Sequence, residues 1–374
     1  MRILIVDDDP KSVEPLRQEI QRRFAGTESP VIGFKDSEQV IDIFSPHIIV
    51  LDLMQGSPLD SDPAGLQTCE HIWQKRFCPL VVYTAVPNQF ADDERLRHPF
   101  VKLVTKGSGS DLDVIEHIRS YQPHVLALNE VAKEIQGTLN RALREVAGRV
   151  FDNTKDDLQI PEALTRAARR VLAAAMDEEL STGGPTLKTW EHYLCPPSGG
   201  HLLTGDIIRK REGDKGLPSN YAVVLTPSCD LVTDGKRRPR VDKVLTATCT
   251  GVERLLPDLG LNAATERSKC RDRLLAMLRE GHGYSCLPIA ELPGEFPTMA
   301  ADFRKLELIS LGDIGGEGKK YVRVASVDNP FRELVAWAYM LNAARPGLPE
   351  RDFDSWVDEI LVAVPAPEKK PEQE

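Results

Sequence analysis

Residues 48–54 read Ile48-Ile49-Val50-Leu51-Asp52-Leu53-Met54, an apolar run that a single carboxylate interrupts. Residues 3–9 have a related pattern, Ile3-Leu4-Ile5-Val6 followed by Asp7-Asp8-Asp9. Short, continuous apolar runs rich in β-branched residues are typical of strands buried on both faces, as in parallel sheets. These two stretches therefore predict two neighbouring buried strands with acidic side chains at their carboxyl ends.

Working outward, the first 121 residues alternate such runs with stretches of helical periodicity. Further strands are predicted over residues 31–34, 79–83 and 100–104, and helices over residues 10–24, 37–44, 66–75, 92–96 and 111–121. Five β–α repeats with continuous apolar strands are typical of a doubly wound parallel sheet. We therefore predict an α/β domain with a five-stranded parallel sheet over residues 1–122.

Pro123 is expected to end this domain. From Val125 to Val150 the apolar residues are spaced by three and four, which predicts one long amphipathic helix, and a second helix is predicted after Pro161. Residues 123–187 would thus form a helical linker. Two interpretations of its apolar stripe remain open, a core packed on the following domain and a dimer-forming helical hairpin.

Residues 188–363 predict a mixed α+β domain. Strands are expected over residues 221–225, 241–247 and 321–324, and helices over 264–280 and 331–344. The stretch 364–374 is rich in proline and charge and is predicted to be disordered.

Composition narrows the functional classes. The 374 residues carry a net charge of −10, which argues mildly against non-specific nucleic-acid binding. Apolar runs stay well short of the length that spans a bilayer, so no membrane segment is expected. Seven cysteines, an odd number, fit free thiols in a reducing cytoplasm better than a disulfide framework.

The carboxylates at the strand ends predict a site. In a doubly wound sheet the carboxyl ends of adjacent strands face one crevice, so Asp7, Asp8 and Asp52 should converge. Like charges held this close favour a bound cation, and oxygen ligands of this type suit Mg²⁺. Thr84 and Lys106 follow the fourth and fifth strands, where a hydroxyl and an ammonium are placed to contact a phosphoryl group on Asp52.

These residues together resemble the receiver domain of two-component response regulators, the CheY-like fold. The resemblance rests on residues 1–9, residues 48–54, Tyr83-Thr84-Ala85 and Lys106, and it covers about a third of the chain. It implies that a sensor histidine kinase or a phosphotransfer protein phosphorylates Asp52. It also implies that Asp8, Asp52 and the backbone carbonyl of Met54 bind Mg²⁺ directly, with Asp7 acting through water.

The sequence departs from this family at three places. Gly107 stands where the family usually has proline, and Leu103 stands where it usually has an aromatic switch residue. The loop from Gln55 to Ala64 is longer than usual before the matching Gly65. Tyr83 or Phe100 is the candidate to replace the missing aromatic side chain.

The C-terminal part offers weaker candidates. Asp206 opens one predicted strand, and Cys229 and Asp230 follow another in the run Thr226-Pro227-Ser228-Cys229-Asp230. A nucleophile or polar binding site is one interpretation, and a buried cysteine beside a turn-capping aspartate is the other. His192, Cys195 and His201 lack the partner pair of a zinc site.

The output domain leaves three hypotheses open. The leading one is a response regulator whose receiver controls a C-terminal effector. In the second, that effector is an enzyme such as a nuclease, because residues 205–231 faintly resemble PemK/MazF-type toxins and a basic group comes after them, Lys236, Arg237, Arg238 and Arg240. In the third, the C-terminal domain recruits a protein partner.

Overall fold

A computed structural model describes residues 1–56, 64–90, 92–181, 186–233, 237–262, 264–280, 285–344 and 352–363. The chain divides into two compact units, Met1–Gly184 and Pro185–Glu374.

The first unit contains a five-stranded parallel sheet with helices on both faces. Its strands are β1 Ile3–Val6, β2 Val31–Ile32, β3 Ile48–Leu51, β4 Leu80–Thr84 and β5 Val101–Thr105. Its helices are α1 Pro10–Arg23, α2 Ser37–Phe44, α3 Ala64–Lys75, α4 Asp111–Asn153 and α5 Ile160–Ser181. The strand order is β2-β1-β3-β4-β5. This order confirms the predicted doubly wound sheet of the CheY-like type.

Alternation along the strands creates two cores. Ile5 and Val50 belong to a cluster with side chains of α1 and α4, whereas Val6 and Leu51 belong to a cluster with side chains of α2 and α3. All residues of β1 and β3 are buried, as their continuous apolar sequences predict. The sheet is therefore fixed on both faces, which holds the residues at its carboxyl edge in place.

Helix α4 corrects one sequence prediction, since it runs through Pro123 without a break. Proline removes one helical hydrogen bond, a cost that tertiary packing can offset. Here Phe100 stacks on Tyr121 with ring centroids 6.0 Å apart and meets the edge of His124 at 5.4 Å, so the helix is packed on both sides of the proline. The predicted break was wrong because side-chain packing outweighs the local preference.

Beyond Val125, helix α4 pairs with α5 in a helical hairpin. Ala142 of α4 and Ala168 of α5 are both almost completely buried. Val131 and Ile135 of α4 remain 53% and 41% exposed. The hairpin therefore covers only part of the apolar stripe that the sequence predicts.

The second unit is built on a seven-stranded antiparallel sheet. Its strands are β6 Tyr193–Leu194, β7 Asp206–Lys210, β8 Tyr221–Val224, β9 Lys243–Thr250, β10 Cys286–Ile289, β11 Met299–Ser310 and β12 Tyr321–Val327. Their order is β10-β11-β9-β8-β7-β12-β6. The helices are α6 Ser228–Leu231, α7 Leu255–Asp258, α8 Arg267–Glu280, α9 Phe331–Ala343 and α10 Phe353–Ala363.

This sheet confirms the α+β prediction and adds strands that the sequence did not reveal. Strand β11 was one of those missed, and its second half, residues 304–308, is exposed. The core contains Tyr221, whose ring lies 5.8 Å from that of Phe296. The predicted disordered tail, residues 364–374, lies outside the described residues. Within the described residues, none of the helices is long and apolar enough to cross a membrane.

Candidate functional site

Three carboxylates meet at the carboxyl edge of the parallel sheet. Strands β1 and β3 pair with Val6 opposite Leu51, so the residues that come after them, Asp7 and Asp52, emerge side by side. One carboxylate oxygen from each of Asp7, Asp8 and Asp52 lies within 4.8 Å of the others. Asp7 and Asp52 are buried, whereas Asp8 is exposed. The structure therefore brings together the acidic residues that the sequence predicted to converge.

Backbone amides hold one oxygen of each carboxylate. Oδ1 of Asp52 accepts hydrogen bonds from the amides of Leu53 at 2.7 Å and Met54 at 3.3 Å. Oδ1 of Asp7 accepts from the amide of Asp9 at 2.9 Å, and Oδ2 of Asp8 from the amide of Gly56 at 2.6 Å. In Asp52 and Asp7, Oδ2 is the oxygen that remains for other partners.

Lys106 supplies the positive charge of the site. Its Nζ lies 2.6 Å from Oδ2 of Asp7 and 2.6 Å from Oδ2 of Asp52. Burial alone would lower the pKa of Lys106, but its hydrogen bonds to Asp52 and Asp7 outweigh burial and raise that pKa. For Asp7, in contrast, burial is the largest effect and it raises the pKa of the carboxyl group. We conclude that Lys106 is protonated at neutral pH and bridges the two buried carboxylates.

The donor set fits a divalent cation. Three carboxylates face a single ammonium group, so the site retains excess negative charge. Carboxylate oxygens with room for water and phosphate are the ligands that Mg²⁺ prefers. Met54 contributes its amide to Asp52 and lies in the same turn, where its carbonyl was predicted as a further ligand. The residues present thus suit Mg²⁺.

Thr84 adds an unsatisfied hydroxyl at the same edge. It ends β4 and is completely buried, and its Oγ1 has no hydrogen-bond partner among the described residues. A buried hydroxyl without a partner costs free energy, typically about 1–3 kcal/mol. An acceptor or donor that enters the site, such as a phosphoryl oxygen, would relieve this cost.

Gly65 lets the start of α3 lie directly against the backbone that follows β3. A Cβ atom at this position would lie 2.2 Å from the carbonyl oxygen of Asp52 and 2.4 Å from Cα of Leu53. The amide of Gly65 also donates to the carbonyl of Leu53 at 3.1 Å. Only glycine allows α3 to approach β3 this closely. The preceding loop contains residues 57–63, which lie outside the described residues.

The sequence missed two residues next to the site, Ser110 and Asp111. The hydroxyl of Tyr83 donates to Oδ1 of Asp111 at 2.8 Å and lies 2.9 Å from Oγ of Ser110. Leu103, where the resemblance to receiver domains led us to expect an aromatic side chain, is 38% exposed. A serine followed by an aspartate at the start of a predicted helix is the signal that could have identified the pair.

The candidates in the second unit form two separate groups. Asp206 is completely buried, and its Oδ2 lies 2.6 Å from Nε of Arg323. Cys229 and Asp230 lie in α6, where Asp230 pairs with Arg240 at 3.5 Å. No hydrogen bond or ion pair in the described part of the chain joins Asp206 to Cys229 or Asp230.

His192 and Cys195, for which the sequence offered no partner pair of a zinc site, make other contacts in the structure. The ring of His192 packs on Phe331 at 4.1 Å, and Sγ of Cys195 contacts the carbonyl of Val324 at 3.7 Å. Among the described residues, the group whose side chains could hold an ion together is the one at the sheet edge, which does not include His201. Arg237 donates to the carbonyl of Cys229 at 2.6 Å, whereas Lys236 lies outside the described residues.

Comparison with solved structures finds receiver domains over the N-terminal third of the chain. One is the N-terminal domain of a response regulator/sensory box/GGDEF three-domain protein from Carboxydothermus hydrogenoformans, with 21% identity, 35% of this chain and 98% of that chain covered, and a TM-score of 0.28. The receiver domain of the Francisella response regulator 1452 shows 20% identity over 33% of this chain and 98% of that chain, with a TM-score of 0.27.

A third is the BeF3-activated N-terminal receiver domain of Klebsiella pneumoniae RstA, with 18% identity, 31% of this chain and 96% of that chain covered, and a TM-score of 0.25. No family model matches the chain, and no curated protein matches it. The function of the first unit is therefore inferred from the geometry at the sheet edge.

Proposed function

We propose that the first unit is the receiver of a response regulator, in which Asp52 accepts a phosphoryl group from a sensor histidine kinase or a phosphotransfer protein. One observation carries this proposal: the protonated Lys106 lies 2.6 Å from a carboxylate oxygen of both Asp52 and Asp7. Together with Asp8, this arrangement surrounds a nucleophilic oxygen with groups that bind a phosphate and a divalent cation.

The chemistry is a transfer from nitrogen to oxygen. Oδ2 of Asp52 attacks the phosphorus of a phosphohistidine, a P–O bond forms as the P–N bond breaks, and the leaving imidazole takes up a proton from solvent. Lys106 then pairs with a phosphoryl oxygen, and the buried hydroxyl of Thr84 donates to another. Backbone amides keep Oδ1 of Asp52 in place during the reaction.

Magnesium is the proposed cofactor. Asp8, Asp52 and the carbonyl of Met54 would hold the ion directly, and Asp7 would act through water. When bound, Mg²⁺ neutralises charge on the phosphoryl oxygens and orients the donor. The test is incubation of the full chain with Mg²⁺ and radiolabelled acetyl phosphate. Asp52→Asn should abolish labelling, and Asp113→Asn, a change at an exposed acid in α4, should leave it intact. Equal labelling of wild type and Asp52→Asn would contradict the proposal.

We assign the second unit the role of output module. If the second unit is an enzyme, such as a nuclease or a toxin-like effector, Cys229→Ala and Asp230→Ala should abolish an activity of the folded protein. A recruitment module predicts no such loss.

All seven cysteines are free, which is consistent with the proposed cytoplasmic location.

We further propose that the hairpin of α4 and α5 forms a homodimer. The observation behind this is the exposure of three apolar side chains on the hairpin: Val131 and Ile135 on α4 and Met176 on α5 are 53%, 41% and 45% exposed. Light scattering should show a dimer for wild type and a monomer for Val131→Glu/Ile135→Glu. An unchanged molar mass in the double variant would contradict it.

A further inference from the structure

Tyr83 occupies a position between the acidic site and the long helix. It precedes Thr84 in β4, and neighbouring side chains in a strand point to opposite faces of the sheet. Tyr83 accordingly belongs to the core between the sheet and helices α1 and α4, and it is 6% exposed. A displacement of Thr84 at the site would therefore be passed through the backbone to a side chain that packs against α4.

The hydroxyl of Tyr83 holds the first residues of α4. It donates to Oδ1 of Asp111 at 2.8 Å, and it lies 2.9 Å from Oγ of Ser110. Oγ of Ser110 in turn accepts a hydrogen bond from the amide of Gly107 at 2.9 Å and donates one to the carbonyl of Gly107 at 2.7 Å. The start of α4 is thus connected to β4 through Tyr83 and to the end of β5 through Gly107.

Lys106 links these contacts to the acidic site. It directly precedes Gly107, and its Nζ bridges Asp7 and Asp52 while lying 5.7 Å from the centroid of the Tyr83 ring. Any new partner for the ammonium group therefore acts on the loop that holds Ser110. Leu103 offers no comparable connection, because its side chain has no hydrogen-bonding group and is 38% exposed.

We propose that Tyr83 is the residue that transmits phosphorylation of Asp52 to helix α4, through its hydrogen bond to Asp111 and its contact with Ser110. This inference rests on the proposed phosphoacceptor function. A phosphoryl group on Asp52 gives Lys106 and Thr84 new oxygen partners. Both residues are covalent neighbours of the contacts that hold α4, since Thr84 adjoins Tyr83 and Lys106 adjoins Gly107. The two states of the site therefore correspond to two arrangements of the first turn of α4.

The length of α4 makes a small rearrangement effective. The helix continues without interruption from Asp111 to Asn153. At 1.5 Å per residue, the part beyond Val125 extends about 40 Å, so a tilt of about 5° at its start displaces its far end by several ångströms. The hairpin with α5 begins in this part, and it is the segment that would carry the signal.

Hydrogen–deuterium exchange on the full chain tests the relay, with Mg²⁺ and beryllium trifluoride as the phosphoryl stand-in. In wild type we expect the exchange of residues 110–125 to change when beryllium trifluoride is added. Tyr83→Phe keeps the ring and removes the hydroxyl, and it should abolish that change while acetyl phosphate still labels Asp52. Asp111→Ala should act in the same way.

Tyr121→Phe is the matched control. Tyr121 is a second buried tyrosine of the same core, and its hydroxyl contacts the carbonyl of Pro99 at 3.4 Å rather than the start of α4. This variant should respond like wild type. A full exchange response in Tyr83→Phe, with normal labelling, would overturn the relay alone. Absence of Asp52-dependent labelling in wild type would instead overturn the phosphoacceptor function and the relay with it.

Discussion

The ammonium group of Lys106 lies 2.6 Å from Oδ2 of Asp52, and it lies at the same distance from Oδ2 of Asp7. A divalent cation at this edge would be attracted by the same carboxylates, so lysine and metal compete for the same electrostatic attraction. Under the proposed function, Lys106 would thereby both assist phosphoryl transfer and weaken metal binding.

The first prediction concerns this competition. Lys106→Met removes the positive charge and should tighten Mg²⁺ binding about threefold to tenfold, equivalent to about 0.7–1.4 kcal/mol. The same variant should accept less label from acetyl phosphate, because the phosphoryl oxygens lose their cationic partner. Isothermal titration calorimetry measures the affinity. Lys102→Met, at an exposed position in β5, is the control and should change neither quantity. Weaker Mg²⁺ binding in Lys106→Met would refute the competition.

The second prediction concerns the close approach of Gly65 to the backbone of Asp52 and Leu53. Gly65→Ala places a Cβ against the backbone of Asp52 and Leu53 at 2.2–2.4 Å, so the start of α3 must shift away from β3. We expect the free energy of unfolding of the first unit to fall by about 1–3 kcal/mol, as at other overpacked sites, and the labelling of Asp52 to decrease. Gly33→Ala is the matched control, because no atom lies within 4 Å of its built Cβ, and its effect should stay within about 0.5 kcal/mol. Urea denaturation of both variants decides the matter, and equal midpoints would contradict the steric argument.

Sequence patterns predicted the parallel sheet and its acidic edge because both depend on local rules. Continuous apolar strands and the residues just after them place Asp7 and Asp52 without knowledge of the rest of the fold. The contacts of Tyr83 with Ser110 and Asp111 were not predictable in the same way. These contacts join β4 to the start of α4 across 27 and 28 positions of sequence. The periodicity of apolar residues does not predict contacts between residues so far apart in the chain. Strand β11 was not predicted either, and it combines two environments: its first five residues are buried and the next five are exposed.

Pro123 gives the third prediction. Helix α4 passes through it, and its exposed position means that replacement creates no cavity. Pro123→Ala restores an amide that can donate to the carbonyl of Arg119, and it should stabilise the first unit by about 1–3 kcal/mol. Thermal unfolding followed by circular dichroism would show the increase in Tm. If Tm falls instead, the proline contributes packing that its exposure does not suggest.

A fourth prediction concerns pH. Burial, together with the charges of Arg2 and Arg76, lowers the pKa of His47 to about 4, and its Nδ1 accepts a hydrogen bond from the amide of Arg2 at 3.1 Å. The folded state therefore favours the neutral ring, whereas the unfolded state takes up a proton near pH 6.5. The contribution of the neutral His47 ring to the free energy of unfolding is fully present above pH 6.5, and it decreases as the pH falls from 6.5 towards 4.

His47→Gln should remove this part of the acid sensitivity. Because the side chain is partly exposed, we expect an effect of about 1–2 kcal/mol at pH 4.5 rather than the full value of the pKa shift. Urea denaturation at pH 7 and pH 4.5 compares the two proteins, with His117→Gln at a half-buried position of α4 as the control. A fall in stability with pH that is as steep in His47→Gln as in wild type would contradict the assignment.

The final prediction separates a structural from a catalytic role for Asp206. Its carboxylate is completely buried beside Arg323, whose guanidinium also donates to the carbonyls of Ser198 at 2.6 Å and Gly199 at 2.9 Å. The pair thus fixes the loop before β7 to β12. Arg323→Met leaves a buried carboxylate without a cation, and it should destabilise the second unit by about 3–5 kcal/mol.

Asp206→Asn/Arg323→Met removes both charges and should recover a large part of this loss, because no uncompensated ion remains in the core. Cys229→Ala changes an exposed side chain in α6 and should stay within about 0.5 kcal/mol of wild type. Guanidinium denaturation of the full chain measures all three. If the double variant recovers stability, Asp206 acts as a structural ion-pair partner of Arg323. The recovery would show that the loss in Arg323→Met comes from the unpaired charge of Asp206. If Arg323→Met costs less than about 1 kcal/mol, Asp206 is not held by the arginine and the structural role is wrong.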